Sequence, residues 1–141
     1  MFMRVDDTAA DSIGPVTQQE GVNRLSLQIE LEHVRKALVV RLRGELDHHS
    51  AEMVRSKMEE AIAKGMAANV VLSLKELTFM DSSGLGVILG RYKQITAKGG
   101  RMVVCDVAPP VYRLFEMSGL FKILAFQETE RQAVSSLEVV S

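Results

Sequence analysis

Phe79-Met80-Asp81-Ser82-Ser83-Gly84-Leu85-Gly86 joins an apolar run at residues 70–74 to a helical pattern of apolar side chains. Aspartate and serine are favoured helix N-caps, so this stretch predicts a strand, a turn and then a helix. A serine hydroxyl at the start of that helix lies where backbone N–H groups and the helix dipole favour negative charge. A phosphoryl group there would be tolerated by the fold yet would change the local surface, which suggests a switch.

The patterns on either side of this stretch predict an α/β fold. Alternation over residues 25–31 and apolar runs at 37–42, 70–74, 101–105 and 123–126 predict five strands. Apolar spacings of three and four predict helices near 51–62, 85–95, 109–118 and 128–140, with Gly65, Gly99 and Gly119 as stops. Strands that alternate with helices imply right-handed crossovers. We therefore predict a mixed, mostly parallel sheet of about five strands with about four helices, in which the first hairpin is antiparallel.

Length, composition and charge indicate one globular domain. The chain has 141 residues, 47% hydrophobic and 25% charged, which suits one ordinary domain and is too short for two. The net charge of −1 favours neither direct nucleic-acid binding nor a membrane surface. Residues 1–7 lack the apolar core of a signal peptide and no segment has the length of a membrane span, so we expect a cytoplasmic protein.

The first 24 residues differ from the rest of the chain. They lack apolar periodicity and contain three aspartates, two glycines and a proline. Such a segment cannot bury enough apolar surface to offset the entropy lost on ordering. We therefore predict a mobile tail over residues 1–24 and a domain over residues 25–141.

Three loops are expected to meet at one edge of the sheet. The loops that follow parallel strands emerge at the same edge, and here they are residues 44–49, 80–84 and 106–109. Glu45, Asp47 and Asp81 would then form an acidic surface around Ser82. Carboxylates in that position could pair with basic residues of a partner protein.

Other interpretations of these residues are weaker. Asp81 and the two serines could act as helix caps alone. The glycines match neither the dinucleotide fingerprint nor the P-loop, and the stretch is not the G-x-S-x-G of a serine hydrolase, although His48 or His49 could reach Ser82. The histidines and Asp47 are too few and wrongly spaced for a metal site. Cys105, the only cysteine, is expected to be buried in a strand.

Two expectations concern packing. Gly90 lies inside a helical pattern, where glycine costs about 1 kcal/mol relative to alanine. Either another element of the protein or an external partner must approach closely there, and internal packing is the favoured interpretation. Met80 and the apolar residues of the segment 117–121 are expected to fold back into the core.

Several longer stretches resemble the STAS domain proteins that act as anti-sigma factor antagonists. The resemblance covers residues 25–137 and resides in Gly44-Glu45-Leu46-Asp47-His48-His49, in residues 77–93, in Met102-Val103-Val104-Cys105 and in residues 113–123. Within that family the chain resembles the sporulation type, the anti-sigma F factor antagonists. General-stress antagonists share the D-S-[ST]-G core but differ around the histidine pair and the long helix after that core.

The resemblance implies a partner-switching protein with no catalytic activity, cofactor or metal of its own. The unphosphorylated form would bind an anti-sigma factor that is also a serine kinase, with its ADP or ATP, and so release sigma F. The kinase would phosphorylate Ser82, and a metal-dependent serine phosphatase would reverse this. We expect the partner to contact Glu45, Asp47, Asp81, Ser83, Gly84 and Gly86. The alternatives are a general-stress antagonist and a nucleotide-binding STAS module.

Overall fold

The computed structural model of the protein describes residues 2–4, 26–65 and 68–138. Its elements, in chain order, are β1 (Phe2–Arg4), β2 (Leu27–Val34), β3 (Ala37–Leu46), α1 (Ala51–Ala63), β4 (Asn69–Met80), α2 (Ser82–Ala97), β5 (Met102–Cys105), α3 (Pro109–Ser118), a 3-10 turn (Leu120–Lys122), β6 (Ala125–Gln127) and α4 (Glu130–Leu137). The strands form one sheet in the order β1-β2-β3-β4-β5-β6. The pairs β1–β2 and β2–β3 are antiparallel, and the remaining pairs are parallel.

The predicted α/β fold is confirmed. The five predicted strands correspond to β2–β6 and the four predicted helices to α1–α4. β1 was not predicted; it pairs with the outer side of β2, with Phe2 opposite Glu32. The rest of the predicted tail, together with the boundary proposed at residue 25, lies outside the described residues and stays a prediction.

The sheet has two unlike faces because side chains alternate along each strand. The larger core lies under α1, α2 and α3, where Phe115, Leu72 and Met58 are among the fully buried side chains. On the opposite face α4 packs against a smaller cluster of Ala37, Val39, Val71, Val103 and Cys105. Cys105 is fully buried, as expected, and burial together with the adjacent Asp106 carboxylate raises the pKa of its thiol.

Two central strands are longer than predicted. Gly44 does not end β3, which continues to Leu46, and β4 continues past Leu74 to Met80. The pairing of β3 with β4 shifts twice, first between Arg41 and Arg43 and again between Gly44, opposite Leu77, and Glu45, opposite Phe79. At the second shift the extra residue of β4 is Thr78. Gly44 has a φ of +108°, and a Cβ on it would lie 2.1 Å from the Ser26 carbonyl oxygen. A glycine at this bulge therefore lets both strands continue to the same edge.

A buried arginine lies where α2 packs against α1. Arg91 is 7% exposed, and its Nη2 atom lies 3.3 Å from the Glu59 carboxylate. The buried side of α2 includes Val87, Ile88, Arg91 and Ile95, whereas Leu85 and Tyr92, which were also predicted to face inward, are half-buried. Desolvation lowers the pKa of Arg91 despite the nearby Glu59 charge.

The expectation that the apolar residues around α3 fold into the core is correct only in part. Met80 and Leu120 are buried, but Met117 is 76% exposed. Phe121 is half-buried and packs against Tyr112 and Phe126, with ring centroids 4.5 and 4.4 Å away. Met117 is exposed because α3 directs its buried side, with Val111 and Phe115, toward the sheet.

Candidate functional site

Asp81 is the N-cap of α2 and leaves the hydroxyl of Ser82 at the surface. Its carboxylate accepts hydrogen bonds from the backbone amides of Ser83, at 2.8 Å, and Gly84, at 3.4 Å. Ser82 is the first residue of the helix and is exposed, whereas Ser83 is half-buried. The capping function predicted for this stretch therefore belongs to Asp81. Ser82 remains at the end of the helix where the dipole is positive.

Gly84 brings the first turn of α2 directly onto the ends of β3 and β4. A Cβ at this position would lie 2.5 Å from Met80 Cγ and 2.9 Å from Leu46 Cγ, distances that no real Cβ tolerates. Gly84 is buried and was predicted to contact a partner. The structure gives it a packing role beneath the surface on which Ser82 lies.

Asp47 organises the loop between β3 and α1. One carboxylate oxygen accepts hydrogen bonds from the amides of His49, at 3.0 Å, and Ser50, at 3.1 Å. The buried Ser50 hydroxyl donates to the Glu45 carbonyl at 3.0 Å, which closes the loop. Desolvation alone would raise the pKa of Asp47, but these hydrogen bonds outweigh it and hold that pKa below the ordinary value.

The structure brings together two of the three predicted loops. The Asp81 amide donates to the Leu46 carbonyl at 3.2 Å, so the Asp47 loop and the start of α2 share a hydrogen bond. The third loop begins at Asp106, which has a φ of +56°. It lines a separate groove of about 600 Å³ with the aromatic side chains of Tyr112, Phe121 and Phe126.

Three carboxylates at this edge have no cationic partner. Glu45 is exposed, Asp47 and Asp81 are partly exposed, and none of them forms a salt bridge within the described ranges. We call Glu45, Asp47 and Asp81 the acidic edge. Several carboxylates elsewhere are paired, as where Arg41 holds Glu30, Glu32 and Glu130 at distances of 3.5, 2.6 and 2.7 Å. The negative charge around Ser82 is therefore available to a basic group from outside.

Gly86 and Gly90 lie on the outward side of α2 and have no side chain there. Among the described residues, a Cβ on Gly86 or on Gly90 would meet no heavy atom within 4 Å. The interpretation that another described element packs closely against Gly90 is thus wrong, because that part of the chain leaves the space open.

Phe79 is the residue of this region that sequence reasoning missed. It is 47% exposed and lies next to Glu45 on the neighbouring strand. The sequence analysis gave Phe79 no role, because the predicted strand covered only residues 70–74. The available signal was the spacing of three between Leu77 and Met80, both buried, which breaks the period of two expected for a strand.

The described residues do not support the interpretations of a hydrolase or of a metal site. His48 and His49 are exposed, with ring centroids 3.9 Å apart, and neither is hydrogen-bonded to Ser82 within the described chain. Over residues 26–65 and 68–138, no three His, Cys, Asp or Glu side chains are grouped as a metal ion would need. No helix in those ranges combines the length and apolar character required to cross a membrane.

Comparison with known proteins points to one family. Residues 28–133 match the model of the STAS domain. The chain is 62% identical to an anti-sigma F factor antagonist of Paenibacillus polymyxa over 117 residues, which are 83% of this chain and all of that protein. It is similar to the solved structure of the anti-sigma factor antagonist SpoIIAA in its unphosphorylated form, with a TM-score of 0.65 and 33% identity over 79% of this chain and 99% of that one. For SpoIIAA of Bacillus in the phosphorylated form, the TM-score is 0.63 and the identity 36%, over 78% and 99% of the two chains.

Proposed function

The chain belongs to the STAS domain family and is an anti-sigma factor antagonist, and from this premise we propose that phosphorylation of Ser82 switches it off. The observation that carries the proposal is the exposed hydroxyl of Ser82 at the start of α2, beside the acidic edge. Related SpoIIAA chains have been solved in unphosphorylated and phosphorylated forms, which supports a phosphorylation switch in this fold.

The partner in this proposal is an anti-sigma factor that is also a serine kinase. The unphosphorylated protein binds this kinase, with its ADP or ATP, and sigma F is released for sporulation transcription. A metal-dependent serine phosphatase removes the phosphate and restores binding. The sporulation type is favoured over the general-stress type because the identity to an anti-sigma F factor antagonist is 62% over that protein's whole length. The protein supplies the hydroxyl and no catalytic group, and it acts in the cytoplasm, where sigma factors work.

The surface around Ser82 suggests how the kinase is bound. Glu45 and Asp47 would pair with basic side chains, since neither has a cation of its own within the described ranges. Gly86 and Gly90 would let the partner backbone approach α2 closely, because no atoms occupy that space. Asp81, Ser83 and Gly84 would act by fixing the turn that presents Ser82, through the cap and the tight packing beneath it.

Phosphorylation would release the partner by a local effect. A phosphoserine carries about −1.5 to −2 charges at neutral pH. A kinase poised for transfer holds the nucleotide phosphates next to the serine, so after transfer the phosphoserine and the remaining phosphates repel each other at short range. The bulk of the phosphate adds a steric clash. The helix dipole and open surface accommodate the group on this chain, so we expect the fold to stay intact.

The decisive experiment maps the phosphate. The full chain is incubated with the anti-sigma kinase of the same genome and ATP, and the modified residue is identified by mass spectrometry. We expect stoichiometric modification at Ser82. Ser82→Ala should bind the kinase as the wild type does and accept no phosphate, while the matched control Ser83→Ala should still be modified. Phosphate on Ser83, or modification of Ser82→Ala, would contradict the assignment.

A second measurement tests the local mechanism. Circular dichroism and amide hydrogen exchange are recorded before and after phosphorylation. We expect the same helix content and protection in the strands, with changes confined to the first turn of α2. Loss of protection across the sheet would show that release comes from unfolding and not from charge and bulk at Ser82.

A further inference from the structure

We propose that Phe79 is the apolar anchor through which the anti-sigma factor docks beside Ser82, seated in a pocket of the partner that is flanked by basic side chains. This inference rests on the proposed function, because it concerns the same partner. It adds a residue to the docking surface that neither charge nor the phosphorylation site identifies. Phe79 precedes Ser82 by three positions, at the end of the strand that leads into α2.

The pairing of β3 with β4 decides which way Phe79 faces. The earlier register shift, between Arg41 and Arg43, puts Leu77 on the buried face, and if the pairing stayed regular after Leu77, Phe79 would follow it there. The extra residue Thr78 shifts the pairing, so Met80 takes the buried position and Phe79 is 47% exposed. The Thr78 hydroxyl secures the bulge by donating to the Gly44 carbonyl at 3.1 Å.

The bulge at Thr78 requires a glycine on the neighbouring strand. Gly44 has a backbone conformation that residues with side chains rarely adopt, and a Cβ there would overlap the Ser26 carbonyl. Single exposed apolar residues are ordinary on protein surfaces and by themselves need no explanation. Phe79 differs from such a scattered residue because it lies opposite Glu45 and three positions before Ser82. Bulges at sheet edges commonly re-aim a side chain toward a site.

The negative charge around the Phe79 ring indicates which kind of partner surface fits it. Glu45 is the cross-strand neighbour of Phe79, and Asp81 follows it by two residues. With Asp47 these carboxylates form the acidic edge, unpaired within the described chain. An aromatic side chain that fills a pocket of the partner, with surrounding contacts that exclude water, is the usual anatomy of a binding hot spot. The complement is an apolar pocket with lysine or arginine at its rim, and the acidic edge would oppose a second copy of this chain.

The test measures binding of the full chain to the anti-sigma kinase in the presence of ADP, by calorimetry or surface plasmon resonance. Phe79→Ala is expected to weaken binding about 10- to 100-fold, the range typical of a hot spot. Tyr112→Ala is the matched control, because Tyr112 is also 47% exposed but lies on α3, away from the acidic edge. It should bind within twofold of the wild type.

Two further readouts separate docking from a structural effect. Phe79→Thr introduces a β-branched residue that suits a strand, and both Phe79 variants should melt within a few degrees of the wild type. In phosphorylation assays they should raise KM for the antagonist while leaving kcat nearly unchanged, because the ring lies beside the hydroxyl and not on it.

The outcomes distinguish this inference from the function on which it rests. If the wild type fails to bind the kinase, the proposed function itself fails. If the wild type binds and a stable Phe79→Ala binds within twofold of it, the anchor is overturned while the function stands. If sedimentation shows a wild-type dimer that Phe79→Ala dissociates, the ring serves contacts between copies and the inference is equally overturned.

Discussion

The Asp81 amide donates to the Leu46 carbonyl, and this one hydrogen bond of 3.2 Å joins the two loops of the proposed docking surface where they begin. One loop then continues to Asp47 and the other to Ser82. Both loops also stand on the same packed layer, because Gly84 rests on Leu46 and Met80. A change in the position of Ser82 would therefore be felt by the Asp47 loop. Ser82, the proposed phosphorylation site, and the acidic edge are thus joined by this hydrogen bond and by the packing of Gly84.

The Asp81 cap should contribute measurably to stability. We expect Asp81→Ala to lower the free energy of unfolding by about 1 kcal/mol, because the Ser83 and Gly84 amides lose their acceptor. Asp81→Asn keeps an acceptor and should lose much less. Urea denaturation of both variants checks this. Equal losses would mean that the charge of Asp81, and not its capping, supplies the stability.

Two glycines of α2 should respond to alanine with opposite signs. Gly84→Ala is expected to destabilise the protein by about 1–3 kcal/mol, since its Cβ would be driven into the buried Met80 and Leu46. Gly90→Ala should stabilise it by up to about 1 kcal/mol, because the position is helical and open. Thermal and chemical denaturation compare the pair. A destabilised Gly90→Ala would show that the open space around this position is needed by the fold.

The same substitution at Gly90 should have the reverse effect on binding. If the partner approaches α2 closely, the added methyl group lowers affinity for the anti-sigma kinase while the isolated protein becomes more stable. Calorimetric titration at matched concentrations measures this. Unchanged affinity would place the partner elsewhere on the surface.

Asp47 should make stability depend on pH in the acidic range. Its pKa in the folded protein lies below the ordinary value, near 4, that applies to the unfolded chain. Its contribution is therefore full above about pH 4 and is lost as the pH falls through the lower, folded-state pKa. The stability advantage of the wild type over Asp47→Asn should be present at pH 7 and shrink as the pH falls below the ordinary carboxyl pKa. Parallel losses in the two proteins would contradict this.

Cys105 should be inert in the folded protein. The side chain is fully buried in β5, and burial and the neighbouring Asp106 carboxylate raise the pKa of its thiol. The thiolate that reacts with disulfide reagents is therefore scarce as well as inaccessible. At pH 8 we expect negligible reaction in buffer and one equivalent in denaturant. Rapid labelling of the folded protein would mean that β5 opens readily.

The features that sequence predicted well are encoded locally. The cap before α2 and the stop at Gly119, which has a φ of +78°, depend on a few adjacent residues. Helix and strand periods likewise depend on short windows, so the order of the elements could be predicted. The meeting of two of the three loops, those of Asp47 and Ser82, then followed from parallel pairing.

The features that sequence missed depend on pairing between distant segments. The bulge at Thr78 is defined by the pairing of Gly44 with Leu77 and of Glu45 with Phe79. The residues adjacent to either strand position in the sequence do not reveal that pairing. Charged side chains are usually exposed and aromatic ones buried, but here Arg91 is buried and Phe79 is exposed. A pattern argument assigns burial by residue type, whereas here the helix contact and the bulge decide it.

The position of α4 has a consequence for the growing chain on the ribosome. Val39, Val71 and Val103 lie on the face that α4 covers, and α4 is the last described helix to be synthesised. That apolar surface is therefore made before its cover, in the interval when nascent proteins are most prone to aggregate. Arg41 lies on the same face with Glu30 and Glu32, both also made early. Charged side chains beside apolar strands oppose pairing with strands of other chains, and we expect these three to protect the sheet until α4 covers it.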